Sequence, residues 1–213
     1  MNESKPIAED WIGDGNTPLQ GFSWKHGRNA DTKGIKMWSA VFLHDTSTET
    51  IAIVVMDTQG LFEPGSTTDE NGRIFSLSTL ISSIQILNIK DVLQEDQLVH
   101  LETATNLAQK IAKIQKSTHW KPFQKLLFLF RDWADDSIGF GYKGGQKYLD
   151  DEVLTVIEGE ESKVNDIRKN IRGSFDEISC FLLNNPGLGI SKGHGEWSTL
   201  EEGFVSNMKI LIE

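Results

Sequence analysis

Three short stretches of this 213-residue chain carry residue types that could act on a nucleotide. The first is Asp57-Thr58-Gln59-Gly60, at the end of the apolar run Ile51 to Met56. A carboxylate leaving a strand at its carboxyl end can hold Mg²⁺, usually through water. A glycine three residues later lets a backbone N–H approach a γ-phosphate, because no Cβ intervenes. The second stretch is Asp31-Thr32-Lys33-Gly34, in a polar loop upstream. A threonine in a mobile loop can close over a nucleotide and offer its hydroxyl to the metal. The third is Arg131-Asp132, directly after Leu126 to Phe130. A carboxylate there could accept two hydrogen bonds from the Watson–Crick edge of guanine. Each stretch also has a plain structural reading: a strand-end turn, a Gly-flanked loop, and an exposed ion pair.

The elements that must position these residues follow from periodicity. Residues 1–36 are rich in Gly, Asn, Asp and Pro and read as loops. Trp38 to His44 and Ile51 to Met56 read as an antiparallel hairpin, the second strand apolar enough to be covered on both faces. Ile74, Leu77, Ile81, Ile84 and Ile86-Leu87 fall at helical spacing, with Asp69 or Asn71 as cap. A second helix is expected from Asp96 to Lys116, with Leu98, Leu101, Leu107, Ile111 and Ile114 on one stripe. Leu126 to Phe130 and Ile178 to Leu183 read as buried strands. Helices are expected near Gly145 to Val153 and Glu161 to Phe175, and an amphipathic segment from Leu200 to Ile212. Buried strands alternating with helices mean an α/β fold, three-layered, with a mainly parallel sheet and an antiparallel edge hairpin. Ligands in such sheets sit at the carboxyl ends of the strands, where the first and third stretches fall.

Composition narrows the classes. With 38% hydrophobic and 24% charged residues, the chain suits a soluble globular domain. A net charge of −10 disfavours nonspecific nucleic-acid binding, since the basic stretches Lys25 to Arg28 and Lys163 to Arg172 are short or interrupted. No apolar run reaches the roughly 20 residues of a membrane span, and Met1 to Asp10 lacks a signal-peptide core. The chain as given is expected to be cytosolic. The lone Cys180 cannot form an internal disulfide and, inside Ile178 to Leu183, is expected to be a core residue. His26, His44, His100, His119 and His194 show no metal-ligand spacing.

Read in order, several motifs form a pattern. They are Trp11-Ile12-Gly13-Asp14, Gly21-Phe22-Ser23-Trp24, Thr32-Lys33-Gly34-Ile35, Met56 to Gly60, and Phe75 to Thr79 with Ile81-Ser82-Ser83. Lys121 to Gln124, Arg131-Asp132-Trp133, Gly141 to Leu149, and Cys180 to Leu183 with Pro186-Gly187-Leu188 complete them. Together they resemble the G domains of atlastins, which are related to guanylate-binding proteins. The resemblance runs from residue 11 to about residue 212. It implies a P-loop, dynamin-like GTPase fold and a protein on the cytosolic face of the endoplasmic reticulum membrane that dimerises on GTP and fuses tubules. By the same resemblance Thr32 and Asp57 are Mg²⁺ ligands, and Gly60 lies at the γ-phosphate of GTP. Arg131 and Asp132 read guanine. Asn184, Asn185 and Pro186 begin a loop, running to Gly189, that caps the base and touches a partner domain.

The sequence contains no Gly-x₄-Gly-Lys-Ser/Thr phosphate loop. Gly139 to Gly145 is glycine-rich but lacks the Gly-Lys-Ser/Thr ending, and it follows Arg-Asp, where the family has a loop. Asn88-Ile89-Lys90-Asp91 has the wrong order for a guanine-reading motif and is expected at a helix end. Only ten residues precede Trp11, which suggests a G domain over residues 1–213 lacking its first strand, P-loop and first helix. Residues 200–213 would begin a helix toward a middle domain. Charge-assisted bonds contribute about 1.5–3 kcal/mol each, so losing three phosphate contacts would cost on the order of 5–9 kcal/mol. Leu61 stands where a water-orienting glutamine would follow the switch glycine, and missing a central strand would expose edges and apolar surface. The expected function is therefore GTP binding and hydrolysis, impaired in this chain. The alternative is a noncatalytic module that pairs with an intact atlastin G domain.

Overall fold

A computed structural model of the chain describes residues 5–6, 21–23, 31–60, 67–94, 98, 101–103, 105–107, 110, 121–157, 159, 162–187 and 199–212. The chain divides into two compact units, residues 1–66 and 67–213. The Trp11 to Asp14 motif, Trp24 to Arg28, Leu61, His100, Ile111, Ile114, His119, Leu188, Gly189 and His194 lie outside the described residues.

In the first unit, strand β1 (Lys5–Pro6) runs parallel to β3 (Phe42–Asp45), which pairs antiparallel with β4 (Thr50–Ile53). A separate antiparallel pair joins β2 (Ile35–Met37) to β5 (Met56–Thr58). The expected hairpin is thus present, with its polar turn tied by Thr46, whose Oγ1 donates to the Glu49 carbonyl at 2.8 Å. Both strands are shorter than their apolar patterns. A bend at Ser39 and Ala40 separates β2 from β3, and Val54 and Val55 separate β4 from β5. The run expected to be covered on both faces is largely open instead, with Ile51, Val54 and Val55 at 42%, 46% and 41% exposure. Apolarity allows a strand to be covered, but burial needs a facing layer. Among the described residues each half of this run has a ladder neighbour on one side only.

The second unit holds a three-stranded, all-parallel sheet in the order β6 (Ile84–Lys90), β7 (Phe123–Trp133) and β8 (Phe175–Asn184). Leu126, Phe128 and Phe130 of β7 and Phe181 and Leu182 of β8 are fully buried. Ile84, Ile86 and Leu87 therefore correct the helical reading: they are strand residues. Helix α1 (Thr68–Ile81) stops when the Ser82 N–H closes onto the Ser78 carbonyl, and the alternating run that follows pairs with Lys125, Leu127 and Phe128 of β7. Leu77 and Ile81 are 54% and 56% exposed. The buried face of α1 is instead Asn71, Gly72, Phe75, Ser76, Ser78 and Thr79. Its hydroxyls are satisfied locally, with Ser76 donating to the Gly72 carbonyl and Thr79 to the Phe75 carbonyl, both at 2.7 Å. The cap is neither Asp69 nor Asn71. Thr67 accepts from the Glu70 N–H while Glu70 accepts from the Thr67 N–H, a reciprocal capping box.

Leu98 and residues 101–103, 105–107 and 110 are helical, and Leu98 and Leu101 are buried as the expected stripe requires. Helix α2 (Gly141–Tyr148) continues into a π-helical turn, Leu149–Val153, so the glycine-rich stretch is largely helix. Gly145 lets α2 lie directly on β8, since a Cβ there would sit 2.2 Å from the Cys180 carbonyl oxygen. Helix α3 (Lys163–Ser174) is capped by Ser162, and α4 (Glu202–Ile212) packs Phe204, Met208 and Leu211 on Leu127, Phe181 and Leu183. The architecture is mixed α/β: a parallel sheet in one unit and antiparallel pairs in the other.

Candidate functional site

The first unit brings two of the candidate residues together. Lys36 is the ladder partner of Asp57, so the β2–β5 register carries the loop before Ile35 to the end of β5. There the Thr32 hydroxyl, 6% exposed, donates to Oδ2 of Asp57. Gln59 secures the same approach twice: its N–H donates to the Gly34 carbonyl at 2.8 Å, and its Oε1 accepts from the Gly34 N–H at 3.2 Å. Gly34 has φ +70°, a conformation that favours glycine. Gly60 is exposed, and a Cβ added to it would meet no atom within 4 Å. One hydroxyl and one carboxylate oxygen in contact are hard donors of the kind Mg²⁺ takes, so the residues present fit that ion. Among the described residues no three His, Cys, Asp or Glu side chains gather as a larger metal cluster.

The second unit builds its candidate residues at a break in the β7–β8 ladder. Phe130 pairs with Leu182, and Trp133 pairs with Asn184. Three steps on β7 thus face two on β8, which makes a bulge at Arg131 and Asp132. Asp132 has φ +59°. The flanks are held by an aromatic cluster in which Tyr148 lies 5.1 Å from Phe130 and 4.7 Å from Trp133, ring to ring. The Asp132 Oδ1 accepts from Nδ2 of Asn185 at 2.8 Å, and Asn185 Oδ1 accepts from the Gly187 N–H at 2.8 Å. Arg131 Nε donates to Oδ1 of Asn88 at 2.5 Å, while the Asp91 N–H donates to the Arg131 carbonyl at 2.9 Å.

Sequence reasoning did not find Asn88. The stretch from Asn88 to Asp91 ends a strand beside β7, not a helix, and its polar ends hold Arg131 from side chain and backbone. Such a cross-strand contact has no sequence spacing to betray it. Asn184 and Asn185 also part company. Asn184 Oδ1 accepts from Nδ2 of Asn207 on α4 at 3.2 Å, so this amide is engaged with α4. The Pro186 carbonyl accepts from the Glu201 N–H at 3.0 Å, which ties the loop to the start of the same helix. A cavity of about 510 Å³ between α1 and the 103–110 segment, lined by Arg73, Leu77, Leu80, Leu107 and Lys110, contains none of these residues. Cys180 is fully buried, and burial pushes its thiol up to about 12, so it is a core residue.

The guanylate-binding protein N-terminal domain family matches residues 9–213. The chain belongs to that family. Within it the chain is atlastin-like. It is similar to atlastin-1 of Bos taurus, 40% identical over 208 residues that cover 95% of the chain and 37% of that protein. Atlastin of Drosophila melanogaster is 39% identical, with 96% of the chain and 38% of the relative covered. Atlastin-2 of Homo sapiens is 35% identical, with 96% and 35% covered. The chain thus spans little more than a third of the length of the curated relatives it matches.

Proposed function

We propose that this family member is a GTP-binding and GTP-hydrolysing domain of an atlastin-like protein. The observation that carries the reading is the hydrogen bond from Thr32 to Asp57, two residues 25 positions apart that meet as a hard-donor pair. In this reading Thr32 and Asp57 hold Mg²⁺, which when bound would neutralise charge on the phosphate oxygens. Gly60 offers its backbone N–H to the γ-phosphate, unobstructed by a side chain. Asp132 accepts from the guanine N1 and 2-amino groups, and Arg131 flanks the base. Asn184 to Pro186 form the start of the base-side loop. Pairing between two such domains and membrane fusion at the endoplasmic reticulum belong to the reading at the level of the whole protein. Among the described residues no helix is long and apolar enough to cross a membrane.

The 213-residue polypeptide contains no Gly-x₄-Gly-Lys-Ser/Thr sequence. On its own it is therefore expected to bind nucleotide weakly and turn it over slowly. Titration of the polypeptide at high concentration against fluorescent GDP, GTP and ADP analogues, with and without Mg²⁺, tests both parts. Guanine preference that Asp132→Ala removes, and a Mg²⁺-dependent component that Asp57→Asn weakens by about tenfold, are the expected results, tenfold being one charge-assisted contact. Equal affinity for guanine and adenine nucleotides would overturn the site assignment. Tight GTP binding with rapid turnover would overturn the weakness.

A further inference from the structure

Asp132 is an unusual place to hold a recognition carboxylate. It sits at a bulge, with φ +59°, between two buried aromatic residues that fix the strand on either side. The bulge fixes the backbone at this position and leaves the carboxylate to be oriented by its hydrogen bonds. Among the described residues the only hydrogen bond to its carboxylate comes from Nδ2 of Asn185, at 2.8 Å. Asn185 is itself fixed, because its Oδ1 accepts from the Gly187 N–H at 2.8 Å. Gly187 suits this position as glycine: with φ +122°, a Cβ there would lie 2.8 Å from the Thr199 carbonyl oxygen. The Asn185 amide thus bridges the loop backbone and the carboxylate, with its donor end on the acid and its acceptor end on the loop.

We infer that Asn185 is a positioning residue for base specificity, acting through Asp132 and not by touching the base. An ionised carboxylate has about four acceptor sites, so Oδ1 can accept from Asn185 and still join Oδ2 in receiving two donors from guanine. A carboxylate free to rotate meets two donors at once less often than one already oriented, so the bond from Asn185 favours the ligand with both donors. The inference rests on the guanine reading of Asp132 and adds to it the group that orients the acid.

The test compares GDP with IDP, whose base lacks the 2-amino donor, on the whole 213-residue polypeptide. Asn185→Ala is expected to lower the GDP-to-IDP affinity ratio by roughly three- to tenfold, the range of a single hydrogen bond. Asn185→Asp separates positioning from loop structure. It keeps an acceptor for the Gly187 N–H but places a carboxylate where Asp132 needs a donor, so it should lower the ratio at least as far. In an Asp132→Ala background neither substitution should change the ratio further. A wild-type ratio in Asn185→Asp would mean that Asn185 only shapes the loop. Additive losses with Asp132→Ala would mean that it contacts the base itself. Either result overturns the inference. The bond is also read without nucleotide, from the Asn185 side-chain amide resonance, which should move in Asp132→Asn. An unmoved resonance overturns the positioning contact alone. Absence of any guanine preference in the wild type overturns the functional reading and the specificity claim with it.

Discussion

At the scale of single residues, burial decides what Cys180 and Tyr148 can do. Burial pushes the thiol from 9.0 up to about 12. Burial, followed by the nearby Glu152 charge, pushes the Tyr148 phenol from 10.0 up to about 12. Both groups are held neutral in the folded chain and ionise earlier when it unfolds. Their contribution is therefore fully present below about pH 9 and is lost as the pH rises toward about 12. The urea midpoint should fall between pH 8 and pH 10.5, and Cys180→Ala should show a shallower fall. Thiol reagents at pH 8 should label Cys180 at the rate of unfolding, far below the rate for the denatured chain. Fast labelling of the native protein would show that the β8 core is open. That Cys180 is a core residue was legible in its apolar neighbours. That Asn88 holds Arg131 was not, because the two are 43 positions apart and meet only when β6 lies beside β7.

At the scale of elements, helix α1 depends on its ends more than on an apolar stripe. The Thr67–Glu70 box satisfies two N–H groups that the helix cannot, and Thr67→Ala should lower stability by about 1 kcal/mol in urea unfolding. An unchanged midpoint would mean that the first turn frays in the native protein. The box was available to a sequence reader, since Thr67-x-x-Glu70 is its signature, but Asp69 and Asn71 lie nearer to the apolar periodicity and drew the cap inward. The same periodicity misassigned Ile84 to Leu87, because isoleucines spaced by two and three satisfy helix and strand templates alike. Backbone pairing with β7 resolves the ambiguity. Helix α2 depends on a backbone approach: Gly145→Ala would press a Cβ into the Cys180 carbonyl at 2.2 Å. The substitution should cost about 1–3 kcal/mol, as overpacking does, while Gly173→Ala, where a Cβ meets nothing within 4 Å, should cost far less. Comparing their denaturation midpoints tests whether Gly145 serves the close packing of α2 on β8.

At the scale of the whole molecule, the second unit leaves apolar side chains in solvent. Ile84 and Ile86 on β6 are 55% and 47% exposed, and Leu77, Leu80 and Ile81 on α1 are 54%, 45% and 56% exposed. Among the described residues β6 also has a ladder partner on one side only. Exposed apolar residues on such a strand promote self-association. Ile86→Lys should therefore raise the concentration at which the protein stays monomeric by light scattering, with little change in unfolding midpoint. A large loss of stability would show that Ile86 is covered in solution.

Sequence by itself determined the α/β class, the buried strands around Phe128 and Cys180, and the family pattern. These rest on local periodicity and on motifs read along the chain, which survive without coordinates. Tertiary structure alone decided that Thr32 meets Asp57, that Asp132 stands on a bulge, that Asn185 faces Asp132 while Asn184 turns to Asn207, and that Ile84 to Leu87 form a strand. Those outcomes depend on ladder register and on side chains from distant positions, and register is a property of two paired strands, which neither strand's sequence encodes alone.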